Sequence, residues 1–233
     1  MRWPASWSES WRDLLALALP ALDALPQGMG WALGGGTALM LALNHRVSKD
    51  VDIFFENARA LRLLAPSGNA LTRGICDDWQ QPGHYIKLLR AGVGEVDFLV
   101  SRTFENEPDV PYEFIHGKVR QVIRVETPRE ILSKKIFHRA SQFTTRDIFD
   151  AAAIIYEYPF CLEGLSPDVI EKLPRLVDRV ARVAGTYARE IRGSVIPLDV
   201  DMDVLVNGAE FILEWFRLEL ERSKAAVIAP NLE

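Results

Sequence analysis

At 233 residues, 48% of them hydrophobic and 25% charged, the chain has enough apolar material to bury a core without disulfides or a structural metal. Its net charge of -5 argues against a general nucleic-acid coat protein, and its two cysteines, Cys76 and Cys161, match no metal or redox spacing. No apolar run reaches the ~20 residues of a membrane-spanning helix, and the start MRWPASWSES lacks the charged-then-apolar pattern of a secretory signal, so the expected location is the cytoplasm.

Ser6 followed by Glu9 is a capping-box pattern, and Trp7, Trp11, Leu14 and Leu15 fall at helical spacing, which predicts a helix over about 7–24, ended by Pro26 and Gly28. Trp31-Ala32-Leu33 reads as a short buried strand, Gly34-Gly35-Gly36 as a tight turn, and Thr37 to Asn44 as a buried helix. Asp50 to Phe55 alternates and is rich in β-branched and aromatic residues, as a strand is. Two further strands are expected at about 84–90 and 95–100, joined through Gly92-Val93-Gly94, with another at 118–125. Beyond Glu126 the pattern becomes helical. Thr127, Pro128 and Glu130 open a helix through about Gln142, Thr144 or Thr145 caps the next, and apolar periodicity recurs around 167–185, with a kink or a restart at Pro174, and 202–222. The expected fold is α/β in the α+β sense: a lobe with a mixed β-sheet over 1–125, followed by a helical C-terminal lobe over 126–233.

In a strand, residues two apart point to one side, so Asp50 and Asp52 present two carboxylates together. Side by side they repel unless a cation lies between them, and a hard divalent ion such as Mg²⁺, shared with phosphate oxygens, is the usual solution in nucleotide-handling sites. Asp97, on the strand after the hairpin, can join the pair, either as a metal ligand or by taking the proton from an attacking hydroxyl. Upstream, the glycine turn either lets the backbone approach a phosphate at a helix N-terminus or is only a tight turn. A second acidic run, Asp199, Asp201 and Asp203, precedes a predicted helix with no glycine turn ahead of it, where negative charge suits the helix dipole; it is expected to bind no metal.

Between Lys118 and Arg146 eight lysines and arginines stand against two acids, Glu126 and Glu130, forming either a solvated helix face or a phosphate-facing surface. Within it Lys135 follows Ile131 and Leu132 at inward spacing, whereas Lys134 follows Glu130 on the polar face. An inward lysine needs an anion: a triphosphate provides one, and Asp147 or Asp150 would serve equally, unless the side chain snorkels past the core.

Three blocks of the sequence resemble one family. They are Gly35-Gly36-Thr37-Ala38-Leu39, the run Arg46-Val47-Ser48-Lys49-Asp50-Val51-Asp52-Ile53-Phe54, and Lys135 with Arg146-Asp147-Ile148-Phe149-Asp150. In order and spacing, over about residues 31–155, they are similar to the AbiEii/AbiGii-type toxin nucleotidyltransferases of the DNA polymerase β-like superfamily. The resemblance implies Mg²⁺ or Mn²⁺ held by Asp50 and Asp52, with Asp97 as the further metal candidate from the strand pattern. It implies an NTP whose phosphates are held around Gly35, Gly36, Thr37, Arg46 and Ser48, and a triphosphate contact from Lys135, next to which Lys134 is the neighbouring candidate. Asp147 is implied as a further active-site residue. The expected activity is transfer of a nucleoside monophosphate from the NTP to a hydroxyl of RNA, tRNA included, or of a protein. A cognate antitoxin is the implied partner and no membrane is involved. Two other readings are open at this level: a catalytically silent nucleotide-sensing or protein-binding module, and a small-molecule adenylyltransferase of the antibiotic-modifying kind.

Overall fold

The computed structural model describes residues 10–228, and the Ser6–Glu9 capping pattern and Trp7 lie outside them. The chain divides into two compact units, residues 1–41, 47–103 and 107–127 in the first and 42–46, 104–106 and 128–233 in the second. Among the described residues no helix is long and apolar enough to cross a membrane.

The first unit is built on a seven-stranded mixed sheet: β1 (Trp31–Gly34), β2 (Val51–Phe55), β3 (Asp78–Gln80), β4 (Tyr85–Arg90), β5 (Gly94–Val100), β6 (Val110–His116) and β7 (Val119–Val125). Their order across the sheet is β3-β4-β5-β2-β1-β7-β6. β2 lies antiparallel to β1 and parallel to β5, and β1 is parallel to β7. Alternation decides which face is core. Val51, Ile53 and Phe55 are buried, as are Val96 and Phe98 on β5 and Ile86 and Leu88 on β4. Helix α1 (Ser10–Asp23) covers that face with Trp11, Leu14, Leu15, Ala18 and Leu22, which recur at three- and four-residue intervals. Each such large apolar side chain removed from water contributes about 1.5–3 kcal/mol. Asp50, Asp52, Glu95, Asp97 and Lys87 are consequently held on the opposite, half-exposed face. Helix α2 (Gly35–Leu43) leaves directly from β1, and the short helices α3 (Arg59–Leu64) and α4 (Ala70–Arg73) lie between β2 and β3.

The second unit is helical: α5 (Pro128–Arg139), α6 (Thr145–Glu157), α7 (Pro167–Ile170), α8 (Leu173–Ser194) and α9 (Met202–Ile228). Its centre is α6, whose residues Asp147 to Ile155 are all buried. Thr144 caps α6 through a capping box with Asp147, and Pro174 sits in the first turn of α8.

Two expectations are corrected. The helix from Thr127 is α-helical only to Arg139 and tightens into a 3₁₀ turn over Ala140–Gln142. The Glu130–Lys134 face of α5, read from the spacing as its polar face, is buried, the two residues being 4% and 7% exposed, because residues 104–106 lie over it. The Glu130 carboxylate accepts from the backbone N–H groups of Phe104 (3.1 Å) and Glu105 (2.8 Å), with Lys134 Nζ at 3.4 Å.

Candidate active site

The acidic face of the first unit is set by strand register. Asp52 on β2 stands directly opposite Asp97 on parallel β5 and opposite Gly34 on β1, while Asp97 stands opposite Lys87 on β4. Lys87 Nζ lies 2.9 Å from Asp97 Oδ2 and also bonds Glu95. Burial alone would lower the Lys87 pKa, but the two carboxylates outweigh it and raise it above the ordinary value. Asp97 goes the other way. Its burial, joined by the charges of Glu95 and Asp50, raises its carboxyl pKa despite Lys87. Its second oxygen, Oδ1, is buried with no hydrogen-bond partner among the described residues.

The glycine turn is shaped around these acids. Gly35 has φ +62°, and a Cβ placed there would sit 1.9 Å from Asp52 Oδ2. The Asp52 carboxylate therefore lies against the first residue of α2, where the positive end of the helix dipole favours a negative charge. At Gly34 a Cβ would meet Glu126 Oε2 at 2.4 Å and the Phe54 ring at 2.6 Å. Thr37 is fully buried. Its hydroxyl donates to the Asp50 carbonyl at 2.5 Å and lies 3.0 Å from the Ser48 hydroxyl, so both side chains tie the start of α2 to the approach to β2. Asp50 itself precedes the strand, and its Oδ1 accepts from the Glu95 N–H at 3.2 Å.

The donor set suits a hard cation held by one or two carboxylates and completed by phosphate oxygens. Asp52 and Asp97 present carboxylates from adjacent strands, and Asp97 Oδ1 is a buried acceptor without a hydrogen-bond partner among the described residues. Among the described residues no three His, Cys, Asp or Glu side chains close into a metal cage, and Asp50 is turned toward the Glu95 backbone.

The other predicted site residues lie in the second unit and are engaged with one another. Asp150, fully buried, accepts from Arg46 Nε (2.6 Å), His45 Nε2 (2.9 Å) and Lys135 Nζ (2.9 Å). Asp147 accepts from Lys135 (2.7 Å), Arg139 (3.1 Å) and the Thr144 hydroxyl (2.7 Å). Burial opposes ionisation of both acids. Lys135 nonetheless holds each below the usual carboxylate range, with Arg46 and His45 pushing Asp150 well below it and Arg139 aiding at Asp147. Burial likewise opposes the Lys135 charge, and the two aspartates raise its pKa. The anion that meets the inward lysine in this structure is thus the Asp147–Asp150 pair. Sequence reasoning missed Lys87, Glu95 and Glu126 beside the acids. Register explains Lys87 and Glu95, since alternation from Asp97 marks Glu95 and the hairpin marks Lys87; Glu126, one residue beyond β7, carries no such signal.

The family described as nucleotidyl transferase AbiEii toxin, type IV toxin–antitoxin system, matches residues 17–176. A comparison with curated proteins finds no match. Among solved structures, a chain from H. pylori described as a candidate nucleotidyltransferase is 16% identical, with a TM-score of 0.54 over 94% of this chain and 97% of that one. MenT4, a nucleotidyltransferase toxin from Mycobacterium tuberculosis, is 14% identical, with a TM-score of 0.51 over 91% and 85%. At such identities the two show a shared fold. The family match spans more than half of the chain and includes all three sequence blocks that carry the resemblance, and by it the chain belongs to the AbiEii nucleotidyltransferase toxin family.

Proposed function

We propose that this nucleotidyltransferase moves a nucleoside monophosphate from an NTP, bound with Mg²⁺ or Mn²⁺, to a hydroxyl of RNA, tRNA included, or of a protein, with pyrophosphate leaving. The observation that carries the reading is the register pairing of Asp52 with Asp97, one carboxylate against the start of α2 and the other with a buried, unbonded oxygen. Asp52 and Asp97 would hold the cation, with Asp50 alongside; a cation bound there would supply charge neutralisation at the phosphates. The N–H groups at Gly35 and Gly36 face the same end of α2 and suit a phosphate oxygen. Thr37 and Ser48 act by fixing that turn. Lys135 and Asp147 keep the catalytic assignment that the family resemblance implies, and Arg46 orients Asp150. The type IV toxin–antitoxin description of the family supports a toxin with a cognate antitoxin, working in the cytoplasm where NTPs and RNA are present.

The test is incubation of purified protein with each labelled NTP, Mg²⁺ and total RNA, following label transfer and pyrophosphate release. Asp52→Asn and Asp97→Asn should lose transfer by at least about 100-fold while remaining folded, because catalysis of this type rests on positioning and electrostatics. Retained turnover in both variants would remove the site assignment. Nucleotide binding without pyrophosphate release in the unmodified protein would favour a silent module. Lys135→Met in the same assay, corrected for any loss of folded protein, tests the assignment that rests on the resemblance.

A further inference from the structure

Helix α8 carries five arginines and no lysine against two acids, Asp178 and Glu190, in a chain whose net charge is -5. The arginines are placed by helical period. Arg175, Arg182 and Arg189 are seven residues apart, two turns each, and so share one face, while Leu173, Leu176, Val180, Tyr187 and Ile191 bury the opposite face against the core. Arg175, Arg182, Arg189 and Arg192 are exposed. None of the four forms a hydrogen bond or close ion pair with a described residue, although Asp178 lies within one turn of both Arg175 and Arg182 and the charge of Arg189 acts on the adjacent Glu190. Arg146, also exposed, extends the stripe at its C-terminal end, where its Nε donates to the Ser194 carbonyl at 3.0 Å.

We infer that this face of α8 binds the phosphate backbone of an RNA strand. Three features select that occupant. First, the other exposed residues from Arg175 to Gly193 are Asp178, Ala181, Gly185, Ala188, Glu190 and Gly193 itself, and no large apolar residue of α8 is exposed, so the face stays net positive and lacks the aromatic and aliphatic anchors on which protein interfaces depend. Second, every cation is a guanidinium, whose planar fork matches phosphate oxygens better than an ammonium does. Third, Arg175 to Arg192 spans about 25 Å at ~1.5 Å per residue, long enough to meet several successive phosphates of one strand. Apart from Arg146, the surface differs from the 118–146 segment that sequence charge pointed to. There Lys134, Lys135 and Arg129 are consumed by Glu130, by Asp147 with Asp150, and by Glu105.

The inference deepens the proposed RNA acceptor and rests on it for its biological sense, but binding is measured without turnover. In an Asp52→Asn background, a 20-nucleotide oligoribonucleotide is titrated by fluorescence anisotropy from 50 to 200 mM salt. Arg175→Gln/Arg182→Gln/Arg189→Gln should weaken binding at least about 10-fold and flatten the plot of log K against log salt by about 2, at ~0.7 per lost phosphate contact on a single strand. A control that removes the same charge from the first unit, Arg59→Gln/Arg62→Gln/Lys118→Gln, should leave both nearly unchanged. Circular dichroism checks that each variant is folded. Equal losses in the two triples, or an unchanged slope in the α8 triple, would overturn the inference. So would polyglutamate binding as tightly as the oligoribonucleotide and being lost in the α8 triple, since that assigns the face to an acidic protein. If the unmodified enzyme transfers no nucleotide to RNA yet the α8 triple alone loses binding, the inference stands and the acceptor assignment fails.

Discussion

Substitution of Gly35 by alanine isolates what the glycine turn does for the acidic site. Gly35 has φ +62°, where an L residue costs about 1–2 kcal/mol. The new methyl would also lie 1.9 Å from Asp52 Oδ2, 2.6 Å from its Cγ and 2.9 Å from its Cβ. Rotating the carboxylate away leaves the 2.9 Å contact with the Asp52 Cβ, so the side chain must both turn and shift, and Oδ2 must move by about 1.5 Å to reach an ordinary 3.4 Å contact. A displacement of ~1 Å in a positioned group costs about 100-fold in rate. Gly117 is the matched control: its φ is +58° and a Cβ there meets nothing within 4 Å. Gly117→Ala should therefore lose about 1–2 kcal/mol in urea titrations through backbone strain, and Gly35→Ala at least as much, the clash with Asp52 adding to the strain. Only Gly35→Ala should lose kcat, by about 100-fold in the label-transfer assay. Equal kcat in the two variants would refute the argument that the glycine exists to admit the Asp52 carboxylate.

The buried network of the second unit makes a different prediction. Asp150→Asn leaves Arg46, Lys135 and His45 around a neutral group and should destabilise the protein by about 3–5 kcal/mol in urea, the range for breaking a buried ion pair from one side. Since the folded Asp150 pKa lies below its ordinary 3.8, its stabilisation is complete above that value and is lost as pH falls toward the folded pKa. Wild-type stability measured by urea titration should accordingly fall below about pH 4, and more steeply than that of Asp150→Asn. At the second acidic run, the Asp201 carboxylate accepts from the Asp203 N–H at 2.7 Å at the start of α9. Asp201→Ala should cost about 1 kcal/mol of stability as a lost cap and leave nucleotide transfer unchanged.

What could be read from the chain followed the strength of its periodicity. β2 and β5 were legible because Val51, Ile53 and Phe55, and Val96 and Phe98, recur at every second position with Asp52, Glu95 and Asp97 on the other face, and burial on one face fixes register. β3 was not: three residues are too few to show a period. β6 was hidden for another reason, since it is an edge strand in which only Phe114 is buried and Pro111 interrupts the pattern. On α5 the spacing separated Lys134 from Lys135 correctly as two faces, yet it could not say that residues 104–106, distant in sequence, cover the polar one. The Lys135 partners were foreseeable as Asp147 and Asp150. The share of Arg46 and His45 in that cluster was not, because it depends on a contact spanning about a hundred residues of chain.

The two acidic runs show what spacing contributes to a site and what it leaves out. Asp50-Val51-Asp52 and Asp199-Val200-Asp201 are identical in pattern, yet the first leads into an inner strand and the second into a helix. In the strand, Asp52 is bracketed by β1 and β5, so Gly34 and Asp97 are delivered to it by backbone pairing, whatever their side chains prefer. At α9, Asp201 is met by the N–H of Asp203, two residues on, and its charge is used locally. A carboxylate satisfied by its own helix has little need of a cation, whereas burial, with the charges of Glu95 and Asp50, raises the Asp97 pKa despite Lys87, and its Oδ1 is buried without a hydrogen-bond partner among the described residues. That arrangement, created by register and not by the D-x-D spacing, is the ground on which the sheet face is proposed as the site.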